Sequence, residues 1–107
     1  MLHTALKTEE IAGITEQAFF KTDALIAGCW QGSTDGDTFA VENPATDEVV
    51  ALVANCGAIE TEQAIRAASD ALAGWAQTPA KNRAKILRGW FDLIIENEQG
   101  LARLLTI

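Results

Sequence analysis

The chain has 107 residues, of which 49% are hydrophobic and 21% charged, a balance that predicts one folded domain rather than a disordered segment. Eight Lys and Arg against fifteen Asp and Glu give a formal net charge of −7, which argues against a nucleic-acid binder and against docking on anionic lipid. No apolar run reaches the roughly 20 residues of a membrane span, and the start of the chain lacks a secretory signal, so we expect a cytoplasmic protein with no nucleic-acid or membrane partner.

The N-terminal half begins with a mixed segment and continues as predicted strands. Residues 1–23 have loosely helical spacing and are interpreted as an arm or a short helix. Residues 25–30 are apolar and predict a short strand. Turn-forming residues fill 31–37, and residues 38–42 alternate as a returning strand. We therefore expect a β-hairpin with a long loop.

A second turn and a third strand follow. Pro44 disfavours the helical conformation at Asn43, so residues 43–48 are predicted to form a turn. Residues 49–54 are β-branched and almost wholly apolar, which favours a further strand.

The C-terminal half is predicted to be helical. Residues 59–76 carry an apolar stripe at helical spacing, as do residues 79–96. Thr78 is suited to cap the second of these helices, with Pro79 in its first position. Three tryptophans lie on the predicted apolar faces, and we expect them to pack in a core: Trp30, Trp75 and Trp90.

The last residues predict a third, incomplete helix. Residues 97–100 are expected to end or kink the preceding helix, and a new apolar stripe is still running at Ile107 without a capping signal. This pattern suggests a chain cut within a larger domain. The alternative is a docked C-terminal helix that simply ends there.

Two strings resemble the aldehyde dehydrogenase superfamily. The first is LIAGCW at residues 25–30, where members have Leu-Ile-x-Gly-x-Trp; the second is FAVENPATDEV at residues 39–49, where members have Phe-x-Val-x-Asn-Pro-Ala-Thr-Gly-Glu-Val. Residues 83–94 and 101–106 look most like the succinate-semialdehyde dehydrogenase branch. Asp47 departs from the pattern where Gly is common, and Cys29 departs from it where a polar residue is usual.

The resemblance implies a fold and a place in a larger enzyme. It implies an α+β segment with an N-terminal β-hairpin, a further strand and two or three α-helices, extending over residues 24–107. It also implies that the Rossmann-like core and the catalytic domain are missing. The family's nucleophilic Cys, its Glu base and its main NAD or NADP contacts would all lie beyond Ile107. The partners would be the rest of the dehydrogenase chain and further copies of it in a homo-oligomer.

Few residues of the chain itself are candidates for a site. The resemblance implies that the backbone carbonyls at the positions of Val41 and Glu42 bind a monovalent cation in some members. An ordinary turn is the favoured interpretation of this stretch, because the acidic residue that would complete the site would lie beyond Ile107. Cys29 and Cys56 are interpreted as structural thiols rather than nucleophiles, because a reactive thiol requires a nearby base or a helix terminus. His3 is the one histidine, and a metal site built from His and Cys is not expected.

Basic residues of the second helix form one face. Lys81, Lys85 and Arg88 share that face, which is either a solvated surface or a patch for phosphate or an acidic partner. The sequence contains no phosphate-binding glycine loop, so no self-contained nucleotide site and no bound cofactor are predicted for this chain alone.

Two functions from different classes remain open. In the first, the chain is the inactive N-terminal part of an NAD(P)-dependent enzyme that oxidises succinate semialdehyde or a similar short acidic semialdehyde. In the second, it is a free-standing interaction module, or the product of a shortened gene, with no catalytic role.

Overall fold

The computed structural model describes Gly13 and residues 18–106. The predicted arm or short helix at residues 1–23 therefore lies largely outside the described residues. Four strands precede three helices: β1 (Ala24–Ile26), β2 (Cys29–Gln31), β3 (Thr38–Glu42), β4 (Val49–Ala54), α1 (Ala58–Gln77), α2 (Ala80–Glu96) and α3 (Glu98–Thr106). The α+β class and the order of strands before helices are confirmed.

The first hairpin is much tighter than the sequence predicted. Residues 25–30 do not form one strand, because the chain reverses within them. Ala27 and Gly28 have φ of 51° and 77°, the left-handed values of the two-residue turns that match strand twist. Leu25 therefore pairs with Trp30 across an antiparallel β1–β2 ladder.

The second hairpin joins β3 to β4, so the predicted pairing of β3 with the first strand is wrong. Phe39 pairs with Val53, and the register shifts between Val41 and Glu42, where the ladder has a bulge. The turn at 43–48 closes this hairpin through a hydrogen bond of 2.8 Å from the Asn43 N–H to the Glu48 carbonyl. Because β1 and β2 pair with each other through their own short turn, β3 pairs with β4 instead.

The helices match their predicted ranges, but their caps differ. Thr78 ends α1 instead of starting α2: its Oγ1 donates a hydrogen bond of 2.8 Å to the Gly74 carbonyl. Pro79 occupies the N-cap of α2, with no side-chain cap. Asn97 ends α2, because its backbone N–H and its side chain both donate to the Leu93 carbonyl. The predicted end of this helix is thus confirmed at Asn97, but residues 98–100 already belong to α3.

Packing among these elements is sparse. Helix α1 contacts β1, and α2 contacts α3. Ile26 is the buried apolar residue among those described, with 8% of its surface exposed. The radius of gyration is 17.5 Å, whereas a globular domain of this length has about 13 Å. Within the described residues, no helix combines the length and apolarity needed to cross a membrane.

The tryptophans do not form the predicted core. Trp30, Trp75 and Trp90 expose 49%, 39% and 64% of their surfaces. They do lie on the apolar faces that the sequence pattern identified. The prediction fails because no other element covers those faces in this structure, so the side chains of the apolar stripes remain exposed.

Candidate functional site

A groove lies where the first turn of α1 meets the loop between β2 and β3. It has a volume of about 540 Å³ and is lined by residues of the loop at 34–37 and of the segment at 55–60. Three carboxylates line it, from Asp35, Asp37 and Glu60. Their hydrogen bonds determine what the groove can do.

Glu60 joins the loop to the helix. Only 5% of its surface is exposed. Its Oε1 accepts a hydrogen bond of 2.5 Å from the Thr34 backbone N–H, and its Oε2 accepts one of 2.8 Å from the Gly57 N–H. Hydrogen bonds from the side chain and backbone of Thr34, and then from the backbone of Gly57, lower the pKa of Glu60 to about 2. The carboxylate is therefore ionised at neutral pH and is not a proton donor or acceptor for catalysis.

The two aspartates organise the loop itself. Asp35 Oδ1 accepts a hydrogen bond of 2.9 Å from the Asp37 N–H, and this bond, followed by one with Ser33, lowers the pKa of Asp35. Asp37 Oδ2 accepts a bond of 2.7 Å from the Asn55 side chain. All three carboxylates of the groove thus have donors within the protein, and the arrangement is that of a structural joint.

The cysteines are not brought into one site. Cys56 is half-buried beside the groove at the start of α1, whereas Cys29 is exposed in β2 and lines a separate groove against α1. In the part of the chain that the structure describes, no group of three or more His, Cys, Asp or Glu side chains is placed to hold a metal ion.

Val41 and Glu42 lie at the end of β3, where the register shifts: Val41 pairs with Ala51 and Glu42 with Val49 of β4. The neighbouring Asn43 is buried, and its side-chain oxygen accepts a hydrogen bond of 2.9 Å from the Ala45 N–H. The same turn places Asp47 at φ 59°, a left-handed conformation that Gly adopts freely and Asp tolerates, so the departure noted at this position is accommodated. Cation binding by the two carbonyls stays a prediction.

The basic face of α2 is present, but its members differ in their contacts. Lys81, Lys85 and Arg88 are all exposed. Arg88 Nε lies 3.7 Å from Asp92 Oδ1 one turn away, and its guanidinium lies 4.8 Å from the centre of the Phe91 ring. A fourth basic residue of this helix, Arg83, is half-buried, and its shielded Nε has no hydrogen-bond acceptor among the described residues.

Sequence reasoning missed Glu60 and Arg83. A glutamate three residues after a helix N-cap is a known capping signal, and Gly57 and Glu60 fit it. Thr34 lies 26 residues before Glu60, and no local pattern connects the two. The half-burial of Arg83 follows from the turn between α1 and α2, which the sequence does not specify in three dimensions.

Comparison with known proteins gives the family. The model of the aldehyde dehydrogenase family matches residues 30–107. The chain is 46% identical over 94 residues to a glutarate-semialdehyde dehydrogenase of Pseudomonas aeruginosa, covering 88% of this chain and 20% of that protein. It is 42% identical over 94 residues to the NADP-dependent succinate-semialdehyde dehydrogenase of Escherichia coli, with the same coverage of both chains.

Comparison with solved structures supports the same family. A succinate-semialdehyde dehydrogenase from Burkholderia pseudomallei superposes with a TM-score of 0.78 and 49% identity, covering 80% of this chain and 18% of that one. The chain thus spans about a fifth of the length of the proteins that it matches. Its strands and helices correspond to an N-terminal part of their fold, and the chain belongs to the aldehyde dehydrogenase family.

Proposed function

We propose that this chain is the N-terminal segment of an NAD(P)-dependent dehydrogenase that oxidises succinate semialdehyde, or a similar short acidic semialdehyde, to the acid. The names of the relatives support the substrate class, since those at 42–46% identity include glutarate- and succinate-semialdehyde dehydrogenases. The cytoplasmic, homo-oligomeric enzyme expected from the sequence is part of the same proposal.

The observation that carries the segment's role is its uncovered apolar surface. Eighteen large hydrophobic side chains are exposed among the described residues, against one buried apolar residue, Ile26. Monomeric proteins rarely expose large apolar patches. A larger enzyme that packs on these helices would bury them, and this segment would then be a structural layer of that enzyme.

The segment on its own is proposed to be inactive. Its ordered carboxylates are engaged by the loop and by the helix start, and the described residues offer no glycine loop for a cofactor phosphate. The nucleophile, the base and the cofactor contacts would come from other parts of the dehydrogenase. The backbone carbonyls of Val41 and Glu42 are retained as a proposed monovalent-cation site.

Two expressed proteins test this proposal. The polypeptide from the complete coding region and the 107-residue chain would each be assayed for reduction of NAD⁺ and NADP⁺ with succinate and glutarate semialdehydes. We expect activity from the first and none from the second. A coding region that ends at Ile107, together with a monodisperse and cooperatively folded chain, would instead support the interaction module.

A further inference from the structure

The positive charge of this acidic chain is concentrated on one stretch. Four of its eight Lys and Arg fall within residues 81–88, and no Asp or Glu occurs from 71 to 91. These cations occupy the N-terminal half of α2, whose first turn contains no acidic residue. The helix dipole disfavours cations at that end. Nothing within α2 compensates for this placement except the pair formed by Arg88 and Asp92.

Arg83 lies at the centre of this stretch, in a cleft between the end of α1 and the start of α2. The cleft has a volume of about 270 Å³, and Trp75, Ala80, Ala84 and Leu87 line it together with Arg83. The Arg83 Nε is shielded from solvent and has no acceptor among the described residues. A shielded donor without an acceptor is destabilising, so native proteins rarely keep one.

The cleft also has uncovered apolar walls. Trp75 and Leu87 lie beside the guanidinium, and both are exposed in this structure. An occupant must therefore offer an acceptor to Arg83 and apolar groups to its neighbours. A free phosphate ion would satisfy the guanidinium and leave the apolar walls wet. A nucleic acid would be repelled by the chain, which carries a net charge of −7.

We propose that the Arg83 cleft is a docking site for a segment of the same dehydrogenase polypeptide outside these 107 residues, and that this segment places a carboxylate on the Arg83 guanidinium. The planar guanidinium is suited to a carboxylate, which it can bind through two parallel hydrogen bonds. Lys81 and Lys85 are exposed and each follows a residue that lines the cleft, Ala80 and Ala84, so their charges add to the positive potential around it. The inference rests on the proposed function, because the covering segment belongs to the longer enzyme.

Carbodiimide cross-linking of the complete protein tests the identity of the occupant. The reagent joins lysine amines directly to carboxylates in contact with them, and Lys81 and Lys85 are the lysines next in sequence to the lining residues Ala80 and Ala84. We expect peptides from Lys81 or Lys85 joined to an Asp or Glu outside the 107 residues, within the monomer band of a denaturing gel. Cross-links found only in a dimer band, only to carboxylates of residues 1–107, or not at all would overturn the proposal.

Matched substitutions on one helix test the role of Arg83. Arg83→Gln and Arg88→Gln remove the same charge from α2, but only Arg83 occupies the cleft. In the complete protein we expect Arg83→Gln to lower Tm by about 2 to 4 °C, and the exposed Arg88→Gln to shift it by about 1 °C or less. Arg83→Gln should also reduce the Lys81 and Lys85 cross-links, which a mere loss of helix stability in α2 would not do selectively.

The conservative variant adds a geometric criterion. Arg83→Lys keeps the charge and loses the planar fork, so it should recover only part of the lost Tm. Equal effects of Arg83→Gln and Arg88→Gln would contradict the proposal. The semialdehyde assay tests the proposed function independently. Cross-links in a protein without semialdehyde activity would support the docking site and contradict the proposed substrate. Activity without cross-links would support the proposed substrate and contradict the docking site.

Discussion

The Glu60 carboxylate accepts a hydrogen bond of 2.5 Å from the backbone N–H of Thr34, a residue 26 positions earlier in the chain. Its other oxygen accepts the Gly57 N–H at the start of α1. One side chain therefore accepts a hydrogen bond from a backbone N–H at the start of α1 and another from the loop that connects the two hairpins. This polar joint links the loop after β2 to the start of α1 in a segment with little buried apolar surface.

Removal of the charge should loosen this joint. Glu60→Gln replaces an ionised acceptor with a neutral amide, and hydrogen bonds to a charged group are the stronger kind. We expect faster amide exchange at Thr34 and Gly57 and little change in the middle of α1. Glu62→Gln is the matched control, since Glu62 is exposed in the same helix. Equal protection of Thr34 in both variants would mean that Glu60 does not hold the loop.

Acid should weaken the same joint. The pKa of Glu60 is lowered from 4.5 to about 2 in the folded chain. A carboxyl group with a depressed folded pKa contributes stability that is present above its unfolded pKa and is lost as the pH falls towards the folded pKa. We therefore expect stability to decrease between about pH 4.5 and pH 2, and Asp35, whose pKa is also lowered, adds to this loss. Urea unfolding at several pH values should show a shallower decrease for Glu60→Gln than for Glu62→Gln.

The sequence predicted what depends on local pattern and missed what depends on distant partners. The ranges of α1 and α2 follow from apolar periodicity and from the turn at Pro79, so they were predicted within a residue or two. The pairing of the strands was wrong because an Ala-Gly pair in left-handed conformation looks like strand when only hydrophobicity is considered. The tryptophans were assigned to a core because periodicity shows which face is apolar and not whether anything covers it.

Backbone conformation at two glycines predicts opposite effects of one substitution. Gly28 has φ 77° in the β1–β2 turn, and an added Cβ would meet no atom within 4 Å, so Gly28→Ala changes only backbone strain. It should destabilise the chain by about 1 to 2 kcal/mol. Gly74 lies in α1, also with nothing within 4 Å, and Gly74→Ala should stabilise it by about 0.5 to 1 kcal/mol. Urea unfolding that gave both variants the same sign would contradict the turn geometry.

The proposed cation site predicts an ion-specific effect on stability. If the carbonyls of Val41 and Glu42 bind a monovalent cation, then Na⁺ or K⁺ should raise the Tm of the complete protein more than tetramethylammonium at equal ionic strength, because an ion that binds only the folded state stabilises it. At equal ionic strength, all three salts screen the surface charges of the protein to the same extent. Superimposable melting curves in the three chloride salts would show that no cation binds here and that residues 43–48 are an ordinary turn.

The uncovered face of α2 predicts association of the 107-residue chain. Trp90 and Ile94 lie one turn apart and expose 64% and 42% of their surfaces, beside the exposed Phe91. Sedimentation velocity should therefore detect oligomers that dissociate on dilution. Replacement of both residues by Gln should weaken association by roughly tenfold or more, since burial of one large apolar side chain contributes about 1.5 to 3 kcal/mol.

Glu96→Gln is the control for this experiment, because it changes an exposed polar side chain at the end of the same helix and leaves the apolar area intact. It should associate like the unmodified chain. In the complete dehydrogenase the covering layer would already bury Trp90 and Ile94, so the double substitution should there reduce stability instead of improving solubility. A chain that stays monomeric at every concentration, with a sharp unfolding transition, would show that this face needs no cover, and the proposed role as one layer of a larger enzyme would then be wrong.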